Sequence, residues 1–152
     1  MKSAFSPVLF AVFIGLAIYL AEGLSGFKVF LNLEALLLVI ICLMFFLWSA
    51  YPAREILTAL RCGFFGCSPG DGGKAEAAAK LLGYAADGAV KAGILAALFG
   101  LILVFSAMET FDASTFFRRM ALVLDGPFFG YFLASMVFTP MARRLSGQAV
   151  RL

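Results

Sequence analysis

The chain has 152 residues, of which 63% are hydrophobic and only 14% are charged, and its formal net charge is +3. Water-soluble domains are about half apolar and a quarter charged, so this composition excludes a soluble globule and indicates an integral membrane protein. No basic patch is interleaved with aromatic residues, so nucleic acid is not expected as a partner.

Four apolar runs predict an all-α fold with four transmembrane helices. A helix needs about 20 apolar residues to cross a hydrocarbon core of about 30 Å. With short flanks, the runs predict spans at about residues 5–22, 33–50, 87–108 and 118–142. Lys2 precedes the first run, as in a cleaved leader, but Tyr19 and Ala21 do not form the small-residue pair of a cleavage site, which favours a retained helix. Residues 1–152 are therefore expected to form a single transmembrane domain.

Residues 51–86 are expected to form a short cytoplasmic loop. Tyr51-Pro52 ends the second span, and residues 53–65 predict an amphipathic interfacial helix with Ile56, Leu57 and Leu60 on its apolar face. The glycine-rich residues 66–74 predict a flexible turn. Ala75 to Tyr84 favour helix and lead without a breaker into the third span, so the third helix is expected to project into the cytoplasm.

The outer loop and the end of the fourth span also carry local signals. Asp112 or Ser114 is expected to cap a short helix in the outer loop. The fourth span is expected to end at Thr139-Pro140, followed by arginines and a polar tail.

Basic residues predict the orientation. If the N-terminus is cytoplasmic, nine of the twelve Lys and Arg residues lie on the inner side, which places both termini in the cytoplasm. Cys62 and Cys67 then face a reducing compartment, so no disulfide is expected. The chain has no histidine and no paired acids, so neither a metal site, a cofactor nor catalytic activity is expected.

Small residues form two faces on the third span and one face on the fourth. Residues spaced by four share a helix face, and small ones let helix backbones approach in lipid. These small faces are Ala89, Gly93 and Ala97, then Ala92, Ala96 and Gly100, and in the fourth span Gly126, Gly130 and Ala134. They either pack one four-helix bundle together or line a pore in a larger ring. The first two spans are bulky nearly all round, as expected of a lipid-facing outer layer.

Asp125 is the only carboxylate inside the four apolar runs themselves, residues 7–21, 35–50, 92–108 and 120–141, because Glu22, Glu34 and Asp87 lie in the flanks. An ionisable residue within the membrane is a candidate functional residue. The alternative is a fully solvated position at the outer headgroup boundary.

Several segments together resemble the MotA/TolQ/ExbB proton-channel family, and its MotA branch most closely. They are EGLSGFKVFLNLEALLLVI, SAYPAREILTALR, ADGAVKAGILAALFGLILV and VLDGPFFGYFLASMVFTPMARRL. The order and spacing of their Gly, Pro and basic residues carry the resemblance, which covers nearly the whole chain.

The resemblance implies a homopentamer around a dimer of a MotB/ExbD/TolR-like partner, whose single helix carries the ion-binding aspartate. It also implies a wall that lines the pore or faces the partner, with Gly93, Ala97, Gly100, Gly126, Pro127, Gly130 and Ala134. Asp125 and the retained Pro140 are added to these as candidate site residues. The sequence departs from the family where Val90 replaces a proline and where Ala97 and Gly126 replace pore threonines. The short loop 51–86 replaces the large insertion of flagellar stators, so flagellar torque is not expected.

The sequence thus predicts a ring-forming subunit of a proton-driven channel or motor complex in the bacterial inner membrane. The alternative is a non-conducting membrane scaffold of the same architecture. A small transporter is disfavoured because the apolar runs hold no cation and only one acid to bind a solute.

Overall fold

The computed structural model describes residues 33–67, 72–106 and 112–149, together with residues 12, 15, 16, 19 and 20. Its elements are α1 (Leu33–Ala50), α2 (Ala53–Phe65), α3 (Gly72–Ser106), α4 (Ala113–Phe132), a π-helical segment (Leu133–Phe138) and α5 (Thr139–Ala149). Every element in this part of the chain is helical, which confirms the all-α prediction. The first predicted span, residues 5–22, lies largely outside the described residues.

Three of the described helices are long and apolar enough to cross a membrane: α1, α3 and the continuous helix from Ala113 to Gln148. They correspond to the second, third and fourth predicted spans. The chain is therefore a helical, membrane-embedded protein.

Helix α1 buries a single stripe against the rest of the chain. Val39, Leu43 and Leu47, spaced by four, are its buried residues. Its other faces are exposed, and Trp48 near its end is 65% exposed. Exposure of so large an apolar surface to water is unfavourable, and such a surface is typical of a helix that faces lipid.

Helix α2 occupies the residues predicted for the interfacial helix. Ile56, Ala59 and Gly63 are buried, whereas Leu57 is 71% exposed. The buried face includes Gly63 because a Cβ there would lie 3.1 Å from both Leu82 Cδ1 and Met141 Sδ. Of the three residues on the predicted apolar face, Ile56 is buried within the chain, Leu60 is half-buried and Leu57 is exposed.

Cys62 and Cys67 form a disulfide, which corrects the expectation of reduced thiols. Gly66 ends α2 with a positive φ of 86° and donates its N–H to the Cys62 carbonyl at 2.8 Å. This turn brings the two cysteine Cα atoms within 4.6 Å of each other. The expectation of reduced thiols relied only on the reducing cytoplasm, whereas the turn at Gly66 determines how close the two cysteines lie.

Helix α3 is the central element and packs against α1, α2, α4 and α5. Its 35 residues extend about 52 Å at 1.5 Å per residue, well beyond a hydrocarbon core of about 30 Å. The helix is continuous through Ala75 to Tyr84, as predicted, and it already begins at Gly72, inside the predicted flexible turn. One end of α3 therefore extends beyond the membrane core.

Asp112 caps α4, as one of the two predicted capping residues. Its carboxylate accepts hydrogen bonds from the backbone N–H of Ser114 at 3.3 Å and of Thr115 at 3.1 Å. Hydrogen bonds from the side chains of Thr115 and Ser114, and then from the backbone, lower the pKa of Asp112. The capped helix continues directly into the fourth span, so no separate short helix forms.

The fourth helix does not end at Thr139-Pro140, where the sequence predicts the end of the fourth span. The helix passes through Pro140 and continues to Ala149. The π-helical segment directly before the proline widens the helix, and Thr139 Oγ1 donates to the Ala134 carbonyl at 2.7 Å. This wider turn accommodates the proline ring and its missing N–H, which would otherwise break an α-helix.

Candidate functional site

Helices α3 and α4 touch through their backbones at three glycines. A Cβ added to Gly93 would lie 2.6 Å from the Gly126 carbonyl oxygen and 3.0 Å from Gly130 Cα. A Cβ on Gly130 would lie 2.9 Å from Gly93 Cα. No side chain fits at these distances, so glycine at these positions is what permits the contact.

The contact is less tight toward the C-terminal end of α3. A Cβ on Gly126 would meet the Gly93 carbonyl oxygen at 3.0 Å and the Ala97 nitrogen at 3.1 Å. At Gly100 the nearest atom is a side-chain methyl, Val123 Cγ2, at 3.1 Å. Backbone contact therefore gives way to side-chain contact toward the C-terminal end of α3.

The predicted wall residues fall into two groups by burial. Gly93, Gly126, Gly130 and Ala134 are buried inside the single chain. The others are half-buried: Ala97, Gly100, Asp125, Pro127 and Pro140. Packing of α3 against α4 accounts for the three buried glycines. That these residues face a pore or a partner stays a prediction. Only the half-buried ones keep accessible surface with which they could do so.

Asp125 lies in α4, within the helix that is long enough to cross a membrane. The residue is half-buried, and its Oδ2 atom is buried. A fully solvated carboxylate does not fit this position. Because a carboxylate is costly to place inside a membrane, such residues are rare and mark ion paths or functional pairs.

A cavity of about 300 Å³ lies between α1, α3 and α4. Glu34 and Arg119 bring opposite charges to its lining, and Gly100, Val123 and Gly126 belong to the same lining. The sequence analysis did not identify this cavity, since its two charged residues are far apart along the chain. It connects the polar ends of α1 and α4 with the glycine contact.

Gly88 is a packing residue that the sequence analysis missed. A Cβ on Gly88 would overlap the Phe46 ring, with Cε1 at 2.6 Å. The same ring stacks on Tyr84 with centroids 4.8 Å apart. The missing side chain of Gly88 therefore lets α1 pack closely against α3, as that of Gly93 lets α4 pack against α3. Its position four residues after Tyr84 was the available signal.

Among the described residues, no group of three or more His, Cys, Asp or Glu side chains is placed to hold a metal ion. Comparison of the chain with protein-family models, with curated proteins and with solved structures finds no match.

Proposed function

We propose that the chain is a ring-forming subunit of a proton-driven channel or motor complex in the bacterial inner membrane. In this proposal it has four spans with both termini cytoplasmic, and five copies surround a dimer of a single-span partner. The observation that carries the proposal is Asp125, a half-buried carboxylate in a spanning helix with one oxygen buried. The resemblance of the sequence segments to the MotA/TolQ/ExbB family supplies the architecture.

The α3–α4 contact supports a ring geometry. Backbone contact at Gly93 and Gly130 makes this helix pair slim, so five pairs can approach a common axis closely. The opposite surface of α3 exposes large apolar side chains, among them Ile94, Leu98 and Ile102. In the proposed ring, neighbouring subunits and lipid cover this surface.

The charged cavity gives the proposed ion path an entrance. Glu34 is near the start of α1 and Arg119 is near the start of α4, so the lining begins at one end of the spans and reaches Gly126, the residue next to Asp125. Arg119 balances the charge of Glu34, so this lining offers an ion a polar route toward the Asp125 carboxylate and no net attraction for cations.

The oligomeric part of the proposal is tested by native mass spectrometry of the protein purified in mild detergent. A pentamer is expected. A monodisperse monomer across several mild detergents would contradict the ring.

The ion path is tested by Asp125→Asn in proteoliposomes that contain the chain and its single-span partner. Loss of the charge at nearly constant shape should reduce flux and leave the ring intact. Asp87→Asn is the matched control, because Asp87 is an exposed carboxylate that pairs with Lys91 at 2.6 Å on the surface of α3. A pH-sensitive dye and a sodium indicator, read in parallel, identify the ion. Equal flux in all three proteins would refute the role of Asp125.

A non-conducting scaffold is the second candidate, and the hydroxyl groups favour it. Ala97 and Gly126 offer no hydroxyl, and Thr139 donates its hydroxyl to the Ala134 carbonyl of its own helix. An ion path along this wall would have few side-chain ligands. Absence of flux in a verified complex would support the scaffold.

A further inference from the structure

Helix α2 lies across α3 and not along it. At one end, the Tyr51 and Tyr84 rings are 5.5 Å apart, and at the other end the Gly63 Cβ position is 3.1 Å from Leu82 Cδ1. Leu82 and Tyr84 differ by only about 3 Å along α3, whereas the 13 residues of α2 extend about 20 Å. Both ends of α2 thus pack at one level of α3.

That level is the surface of the membrane. The spanning helix α1 ends at Ala50, three residues before α2 begins. Its last turn exposes Trp48, and Tyr51 follows, and aromatic residues of this kind are enriched where a span meets the headgroups. An α2 that lies across α3 at this level is parallel to the membrane plane.

The two long edges of α2 differ in chemistry. One edge, with Arg54, Glu55 and Thr58, lines a groove of about 480 Å³ together with residues of α3. Those α3 residues are Lys74, Ala77, Ala78, Lys80 and Leu81. All precede Leu82, so they lie farther from the apolar, spanning part of α3 than α2 does. The groove therefore opens away from the membrane.

The opposite edge of α2 is apolar and faces the membrane side. Leu57 and Phe64 are seven residues apart, so they share this edge, and they are 71% and 60% exposed. Leu60 lies between them and is half-buried. Arg61 is exposed beside them, where a guanidinium can reach lipid phosphates.

We infer that the edge formed by Leu57, Leu60 and Phe64 inserts into the headgroup region of the lipid bilayer and anchors α2 in the membrane plane. The occupant is lipid, because the edge lies at the level where the spanning helix α1 ends, and α1 itself exposes the apolar side chain of Trp48 there. Apolar side chains with flanking cations are the pattern of helices that lie in the interface. The inference does not depend on ring formation or ion flux.

Tryptophan fluorescence tests this anchor in the full-length protein reconstituted into liposomes. Trp48, the single tryptophan of the chain, is first replaced by phenylalanine. Phe64→Trp then places the probe on the apolar edge, and Thr58→Trp is the matched control on the groove edge of the same helix. Both positions are exposed, so both variants are expected to fold.

Phospholipids brominated near the glycerol end of the acyl chain should quench the probe at position 64 strongly, while aqueous iodide quenches it weakly. The probe at position 58 should show the opposite pattern. Strong iodide quenching at position 64, or equal lipid quenching at both positions, would overturn the inference. Protection of position 64 from both quenchers would overturn it in favour of a protein partner on this edge.

Discussion

Gly93→Ala tests whether α3 and α4 touch through their backbones. The new methyl group would lie 2.6 Å from the Gly126 carbonyl oxygen and 3.0 Å from Gly130 Cα. Both neighbours are backbone atoms, so no side-chain rotation relieves the overlap. Ordinary van der Waals contact begins near 3.4 Å, which means that α4 must move by about 0.8 Å.

The expected cost follows from two opposing effects. Forcing a methyl group into a packed contact costs about 1–3 kcal/mol. Alanine recovers up to about 1 kcal/mol over glycine through helix propensity. Since the displaced atoms belong to a helix backbone, we expect the overlap to dominate and the free energy of unfolding to fall by about 1–2 kcal/mol.

The assay is equilibrium unfolding in mixed micelles of mild detergent and dodecyl sulfate, followed by circular dichroism. Gly83→Ala is the control in the same helix, because nothing lies within 4 Å of its Cβ position, and it should be neutral or stabilising. Gly100→Ala should fall between the two, because it meets the Val123 side chain at 3.1 Å. If Gly93→Ala and Gly83→Ala unfold at the same point, the backbone contact does not exist.

Three further outcomes are expected. Because hydrogen bonds lower the pKa of Asp112, its cap stabilises α4 above the ordinary pKa of 3.8 and loses this effect as the pH falls through the lowered pKa. The protection of the first-turn amides, measured as their exchange rate relative to that of an unstructured peptide at the same pH, should fall there, and Asp112→Ala should lack this protection at every pH. Maleimide labelling of the denatured protein should modify one thiol before reduction and three after it, since Cys62 and Cys67 are joined; three labelled thiols without reductant would contradict the disulfide. Thr139→Val should lower the free energy of unfolding by about 0.5–1.5 kcal/mol, because it removes the 2.7 Å hydrogen bond to Ala134, and an unchanged unfolding midpoint would show that this bond adds no stability.

Local chemistry made several elements predictable from the sequence. Uninterrupted apolar length predicted the three spanning helices that the structure describes, since a span depends on the transfer of a contiguous segment into hydrocarbon. Asp112 was predictable as a cap because its hydrogen-bond partners lie two and three residues ahead. The start of α2 followed from Pro52, which cannot continue α1.

Candidate site residues were predictable by type but not by contact. A carboxylate in an apolar run identified Asp125, and spacing by four identified the faces that contain Gly93 and Gly130. Only the fold decided that Oδ2 of Asp125 is buried and that the two glycines meet each other inside one chain. A small face permits close approach, but the sequence does not specify which helix approaches.

The remaining differences have the same origin. The sequence placed Ile56, Leu57 and Leu60 on one apolar face of α2, and only the fold decided that Ile56 and Gly63 pack inside the chain while Leu57 stays exposed. A proline ends most helices, yet the π-helical segment before Pro140 lets this helix continue. The sequence by itself determined which segments enter the membrane, because that choice depends on the free energy of each segment alone. The tertiary structure decided which faces meet, because contact depends on distances between residues that are remote along the chain.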